Sequence, residues 1–227
     1  MKKIYKYIGI FIIVLILGYF SVDIKNLEEV REQQRRVKFN ASEYARDFWD
    51  NRLSTVLDQA IDAGELINLF NTNMPEAIRK YGKAPGVSRV YAYLIKGRGR
   101  IINVGDDFID VSLSEPWNNP DIRINTGYYI PGNALRDASG LVDVSKFTDT
   151  MKFNEISNEI NKIVVKEVIT SFTDENPEKG QNLIFIGATQ VSQDATEEHL
   201  FGQIIGDNSG KQDFQLVKVI PIKLELK

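Results

Sequence analysis

The sequence predicts an α+β protein with an apolar N-terminal helix, a small helical unit and a strand-rich domain. Three observations carry this prediction. An unbroken apolar run extends from Ile8 to Phe20. Residues 39–82 repeat apolar side chains at helical spacing. From residue 87 the pattern changes to β-branched and aromatic runs, which are typical of strands.

Residues 4–24 are predicted to form a retained signal anchor, a single transmembrane helix. Lys2, Lys3 and Lys6 flank the run, and with Lys6 reaching the headgroups the helix spans the roughly 30 Å of a bilayer core. The run ends without the small residues that signal cleavage prefers, although a cleaved signal and a buried core helix remain alternatives. The positive-inside rule then predicts an inner-membrane protein whose C-terminal domain is periplasmic.

The amino-acid composition disfavours or excludes several classes of function. The chain has 28 basic and 31 acidic residues, for a net charge of −3. This balance disfavours a nucleic-acid partner, since such proteins usually carry a basic face. The sequence contains no cysteine, so disulfides, thiolate nucleophiles, thiolate metal sites and lipid attachment to a cysteine are excluded. No cofactor is predicted.

A polar stalk and a helical unit are predicted after the anchor. Residues 25–38 are almost entirely polar and indicate a solvated stalk. Residues 39–86 form the helical unit, in which Asn40 is placed to cap the first helix. A further helix begins near Asn73 and is expected to end at Gly82, because glycine suits a left-handed cap.

Five strands and one helix are predicted for the domain of residues 87–227. The strands cover residues 87–96, 100–104, 121–130, 183–191 and 214–224, and the helix covers 150–170 between the third and fourth strands. Gly97-Arg98-Gly99 is predicted to be a hairpin turn, and residues 131–148 are predicted to be irregular. This element order is that of the five-stranded oligonucleotide/oligosaccharide-binding (OB) barrel, although many small α+β domains share it.

Three segments carry recognisable motifs, within residues 39–49, 121–138 and 140–161. They resemble a bacterial family of predicted periplasmic lipoproteins, domain of unknown function 2291, with Ala134–Ala138 and Gly140–Thr148 as the most specific parts. The resemblance implies a helical N-terminal unit, a barrel-like domain and frequent gene company with sugar importers, but no known activity. The lipidated cysteine of the family is missing, and Tyr19-Phe20-Ser21 stands there instead.

The segment around Arg136 is the candidate ligand-binding site. Asn133, Arg136, Asp137 and Asp143 have the side chains of polar loops, and a purely structural role for them is the alternative. Arg136 and Asp137 are adjacent, so direct pairing between them is not expected. Trp117 is a further candidate.

Trp117, with Tyr128 and Tyr129, is a candidate stacking platform for a sugar or base. Burial in the core is the alternative for these aromatic residues.

Other motifs carry weaker signals. Asp106, Asp107 and Asp110 form an acidic cluster, but glycosidase chemistry needs two opposed carboxylates, and solvation of a turn is the alternative. His199 is the only histidine and lies in a polar loop that lacks converging metal ligands. Gly97-Arg98-Gly99-Arg100 lacks the third glycine of a dinucleotide loop.

The sequence therefore predicts a non-enzymatic, membrane-anchored extracytoplasmic protein that binds a small polar ligand or a protein partner. The candidate partner is a transporter or another envelope protein. The alternative is an envelope hydrolase that acts on glycans through aspartates within residues 106–143.

Overall fold

The structure, a computed structural model, describes residues 39–147, 149–192 and 216–227. The predicted anchor, the predicted stalk and His199 lie outside these residues. Residues 40–227 cluster into one unit. Among the described residues, none of the helices has the length and apolarity needed to cross a membrane.

The described residues contain six α-helices, three of which precede the long strands. They are α1 (Ala41–Asp47), α2 (Ala63–Thr72), α3 (Met74–Tyr81), α4 (Ala134–Ser139), α5 (Thr150–Val164) and α6 (Thr170–Asp174). Helix α1 continues through a π-helical turn, Phe48–Arg52, into the 3-10 helix Leu53–Gln59. The π-helical turn Val165–Ile169 joins α5 to α6, so the helix predicted over 150–170 is confirmed.

The predicted cap at Asn40 and the predicted helix start near Asn73 are confirmed, but the predicted cap at Gly82 is not. The Asn40 side chain accepts hydrogen bonds from the N–H groups of Ser42 and Glu43 at 3.1 and 3.2 Å. Asn73 caps α3 in the same way. Gly82 has a φ of −70°, so the expected left-handed cap is wrong. A Cβ on Gly82 would lie 2.7 Å from the Ile78 carbonyl oxygen, and this close approach explains the glycine.

Six strands form one mixed sheet, one more than predicted. They are β1 (Ile61–Asp62), β2 (Val90–Val104), β3 (Phe108–Ser112), β4 (Ile122–Asn125), β5 (Asn182–Ser192) and β6 (Val217–Leu226). Their order is β1-β2-β3-β4-β6-β5, and β2 also pairs with β5. The predicted strands over 87–96 and 100–104 are both parts of β2, so two strands, β1 and β3, have no predicted counterpart. Strand β1 pairs in parallel with β2 and is only two residues long, too short for a recognisable alternating pattern.

The predicted hairpin at Gly97-Arg98-Gly99 is wrong, because β2 runs straight through these residues. A Cβ on Gly97 would lie 2.7 Å from the Phe185 ring, and one on Gly99 would lie 2.4 Å from the Ser112 carbonyl oxygen. Both glycines therefore allow close approach within the sheet rather than a turn. Arg100 pairs with β3 and β5 at once, so β2 passes from one neighbour to the other here.

Two further predictions need correction. The third strand was expected over 121–130 but β4 ends at Asn125, whose side-chain oxygen accepts a hydrogen bond from the Gly127 N–H at 3.0 Å. This local bond turns the chain out of the sheet. Residues 131–148 were expected to be irregular but contain α4, a six-residue helix too short to show a period.

Helices α2 and α3 share their core with the sheet. Leu66, Phe70 and Ala77 belong to the same buried cluster as Tyr93 and Phe185. The rings of Phe70 and Tyr93 meet edge to face with centroids 5.1 Å apart. The helices therefore cover one end of the sheet and leave its other parts to form the site described next.

Candidate functional site

Strands β5 and β6 part at one end of the sheet. Their antiparallel register reaches Ala188 opposite Ile220, and no pairing between them follows among the described residues. Beyond this point β5 continues beside β2 as far as Ser192, while β6 lies beside β4. The connecting residues 193–215 lie outside the described part of the chain.

A cavity of about 500 Å³ lies where the two strands part, and we call it the β5–β6 cavity. Its apolar wall includes Ile130, Ala134, Val191, Val217 and Val219. Its polar wall includes Asp107, Arg123, Asn125, Thr189, Gln190 and Lys218. An apolar cavity with a few polar groups is the usual form of a small-molecule site.

Arg123 is held in a fixed position on the cavity wall. Its Nε lies 2.7 Å from Oδ1 of Asp110 and its Nη2 lies 3.0 Å from Oδ2, so the pair is bidentate. The guanidinium carbon also lies 3.8 Å from the centroid of the Phe108 ring. A guanidinium has five N–H donors, and only two of them are used here among the described residues.

The register places three charged residues in one row across the sheet. Asp110 on β3 is opposite Arg123 on β4, and Arg123 is opposite Lys218 on β6. The neighbouring residues Ile122 and Ile124 are fully buried, which places the charged row on the other face of the sheet. Two members of this row, Arg123 and Lys218, line the β5–β6 cavity.

Thr189 is a buried residue that supplies a hydroxyl to the cavity wall. The residue is 2% exposed, and no hydrogen bond of its side chain is found among the described residues. Its cross-strand neighbour Tyr93 has a buried hydroxyl without a partner there, and burial raises the pKa of Tyr93 above its ordinary value. Because Thr189 lines the cavity and its side chain has no partner among the described residues, its hydroxyl is available to a bound molecule.

Asn161 fixes another part of the wall. This buried side chain on α5 donates to the carbonyl oxygens of Ile130 and Gly132, both at 3.0 Å. Gly132 has a φ of +86°, a conformation in which other residues are strained. The wall segment is therefore held in place by α5, which favours a preformed cavity.

Arg136 and Asp137, two of the predicted site residues, pair directly, contrary to expectation. The distance from Arg136 Nε to Asp137 Oδ1 is 2.7 Å, because the long arginine side chain folds back and neutralises a carboxylate in a buried place. Arg136 Nη1 also donates a hydrogen bond to the carbonyl oxygen of Phe153 at 2.9 Å. The guanidinium carbon of Arg136 lies 3.6 Å from the centroid of the Phe153 ring. Burial raises the pKa of Asp137, against the lowering effect of Arg136.

The other predicted site residues have local contacts. The Asn133 carbonyl oxygen accepts the first hydrogen bond of α4. Asp143 accepts from the N–H and hydroxyl of Ser145, and these bonds hold its pKa below the usual value. Trp117 is half-buried, whereas Tyr128 and Tyr129 are exposed. The lining of the β5–β6 cavity includes none of the predicted site residues.

The comparisons with known proteins decide the family. The family described as "Predicted periplasmic lipoprotein (DUF2291)" matches residues 12–205. The chain belongs to this family. A crystal structure of an OB-fold protein from Thermotoga maritima is similar to it, with a TM-score of 0.68 and 27% identity over 84% of this chain and 99% of that one. No curated protein matches the chain.

The DUF2291 match confirms the resemblance noted in the sequence, and the solved structure confirms a mixed α+β fold with an OB-fold neighbour. The family description places its members in the periplasm as lipoproteins. This DUF2291 sequence nevertheless contains no cysteine to carry a lipid.

The aspartates of this DUF2291 protein between residues 106 and 143 include several structural acceptors. Asp110 is held in its ion pair, and the Asp121 carboxylate accepts from the Leu113 N–H at 2.6 Å. Asp107 is the aspartate of this range that lines the cavity. A glycosidase pair requires two carboxylates on opposite sides of the substrate, so the described geometry gives the hydrolase alternative no support.

A second cavity of about 330 Å³ lies beside the start of α2. Its lining includes Asp62, Asn68 and Arg98. The Asp62 carboxylate already caps the helix by accepting from the Glu65 N–H at 3.1 Å. Among the described residues no group of His, Cys, Asp and Glu side chains is suited to a metal ion.

Sequence reasoning missed the polar residues of the β5–β6 cavity in this DUF2291 member. Arg123 was identified only as part of the family motif within residues 121–138, and Thr189 and Lys218 were not identified as candidates. A usable signal was present, since Arg123 and Lys218 each lie between two apolar residues of their strand. A polar residue in such a strand indicates either solvent or a bound polar group.

Proposed function

We propose that this DUF2291 protein is a non-enzymatic binding protein outside the cytoplasm, and that the β5–β6 cavity holds a small polar ligand with several hydroxyl groups. The observation that carries the proposal is the cavity itself, with Arg123 fixed on its wall and the Thr189 side chain without a hydrogen-bond partner among the described residues.

The size and chemistry of the cavity support such a ligand. A volume of about 500 Å³ lies within the usual range for small-molecule sites. Arg123 and Lys218 offer donors, Asp107 offers an acceptor, and the Gln190 amide offers both. Hydroxyl groups donate and accept hydrogen bonds, so a polyol or sugar matches this mixed wall better than an apolar molecule.

The proposed entry of the ligand depends on whether the sheet forms a barrel. The strand pairings lead from β2 through β3, β4, β6 and β5 back to β2. We propose that the sheet works as an OB-type barrel that is open between β5 and β6, and that the ligand enters there. The OB-fold neighbour supports this assignment.

In this proposal the protein acts at the outer face of the inner membrane. Residues 4–24 act as a single-pass anchor in this proposal, supported by the flanking lysines and the lack of cysteine. A transporter or another envelope protein is the proposed partner. Crosslinking in intact cells followed by purification of the full chain is expected to recover such a protein, and its absence would contradict the partner proposal.

The Thr189→Val variant tests the binding site. Titration calorimetry of the full chain in detergent, against ribose, glucose, maltose, inositol, glucuronate and glucose 6-phosphate, is expected to find a ligand that binds one to one. Thr189→Val keeps the side-chain shape and removes the hydroxyl. It is expected to weaken that binding about tenfold, the effect of one lost hydrogen bond of about 1.5 kcal/mol.

Thr72→Val is the matched control, because Thr72 is exposed at the end of α2 and does not line the cavity. Its affinity is expected to equal that of the unchanged protein. A series without any binder, or equal affinities for Thr189→Val and the unchanged protein, would contradict the proposed function.

A further inference from the structure

We propose that the ligand of the β5–β6 cavity carries an anionic group, a carboxylate or a phosphate, that is held between Arg123 and Lys218. This inference rests on the proposed function and names the ligand class. It corresponds to a sugar acid or a sugar phosphate rather than a neutral sugar.

The charges of the row across β3, β4 and β6 support an anion. Asp110 is opposite Arg123 and Arg123 is opposite Lys218, so the row holds two cations and one carboxylate. The Asp110 carboxylate is already neutralised by its bidentate ion pair with Arg123. Lys218 forms no ion pair with the described residues, so the row has a surplus positive charge.

The geometry of Arg123 provides the directed contacts. Its Nε and one Nη2 hydrogen face Asp110, which leaves the donors on Nη1 and the second Nη2 hydrogen unused among the described residues. The ion pair and the Phe108 ring hold the guanidinium plane. A prearranged arginine fork matches the paired oxygens of a carboxylate or phosphate, and neighbouring Lys218 adds a point charge.

Asp107 sets the orientation of the ligand. It lies three residues before Asp110, in the bend that precedes β3. The two paired rows between them, Phe108 opposite Asn125 and Ile109 opposite Ile124, are uncharged. Asp107 repels a second anionic group and accepts hydrogen bonds from hydroxyls, so the anion lies at the Arg123 end and hydroxyls lie at the other.

The test compares glucuronate, glucose 6-phosphate and glucose in titrations of the full chain in detergent at low salt. At least one of the two acidic sugars is expected to bind about tenfold or more tightly than glucose, since hydrogen bonds to charged groups are stronger than neutral ones. The two acidic probes distinguish a carboxylate site from a phosphate site.

Lys218→Ala separates charge recognition from folding. This exposed change is expected to weaken acidic-sugar binding about tenfold more than it weakens glucose binding. Lys223→Ala is the matched control, because Lys223 is also exposed on β6 and does not line the cavity. Arg123 is left intact, since its removal would strand the buried carboxylate of Asp110.

The outcomes separate the two proposals. Equal affinity for acidic and neutral sugars, or an acidic preference that Lys218→Ala leaves intact, overturns the anion inference while the binding function stands. If none of the three sugars binds, the anion inference falls. If the rest of the series also fails, the proposed function falls with it.

Discussion

Replacing Arg136 by alanine is expected to destabilise the folded protein by about 3–5 kcal/mol, the usual effect of removing one partner of a buried ion pair. Arg136 is 2% exposed and bonds to Asp137 and to the Phe153 carbonyl. The variant leaves a carboxylate and a carbonyl without their partner and removes the contact that joins α4 to α5. Urea unfolding followed by circular dichroism measures the loss.

Arg79→Ala is the control for this change, because Arg79 is exposed on α3. Alanine and arginine have similar helix propensities, so a shift within about 0.5 kcal/mol is expected. If both variants lose the same stability, the buried contacts of Arg136 do not matter to the fold.

The stability loss of Arg136→Ala is expected to depend on pH. Burial raises the pKa of Asp137 above its ordinary 3.8 in the folded state, and Arg136 opposes that rise. A carboxyl whose pKa is higher in the folded state contributes stability that is present below its unfolded pKa and lost as pH rises through its folded pKa. Without Arg136 the folded pKa rises further, so the deficit of the variant grows as pH rises above the folded pKa that Asp137 has in the unchanged protein.

Gly99→Ala is expected to destabilise the protein by about 1–3 kcal/mol, the usual penalty for an added group in a packed place. The new Cβ would lie 2.4 Å from the Ser112 carbonyl oxygen and 2.5 Å from a Val111 methyl group. The backbone oxygen cannot move without breaking the pairing of β2 with β3. Thermal unfolding of the variant measures the effect.

Gly64→Ala is the matched change at a glycine in the first turn of α2. Its Cβ would meet only the side-chain oxygen of Asp62, at 3.1 Å, and alanine favours a helix. A change within about 0.5 kcal/mol is expected there. If Gly99→Ala is as harmless as Gly64→Ala, the close approach of β2 to β3 is not as described.

The sequence predicted those parts of the fold that depend on neighbouring residues. The cap at Asn40, the helix start near Asn73 and the long helix from Thr150 are local features, and each was predicted. Gly99 was assigned to a turn, but it closely approaches strand β3. The sequence alone does not separate these two roles of a glycine, because it does not show which strand lies beside the residue. Helix α4 and strand β1 were missed because they are too short to show a period.

The candidate site was harder to predict because it depends on register. Arg123, Thr189 and Lys218 come from three strands that lie far apart in sequence, and only the sheet pairing brings them to one cavity. The segment around Arg136 drew attention because its charges are adjacent in sequence. Arg136 and Asp137 form a buried ion pair with each other, and the sequence alone does not distinguish such a pair from a binding loop.

The pairing of β6 with both β4 and β5 has a consequence for the order of events during biosynthesis. β6 comes last of the described strands along the chain, so the sheet stays incomplete until Val217–Leu226 has been synthesised and has arrived. Long-range pairing of this kind is slow, because distant segments must meet before any contact compensates for the lost chain entropy. In a chain that crosses a membrane from its N-terminal side, the sheet is therefore completed only after Val217–Leu226 has crossed.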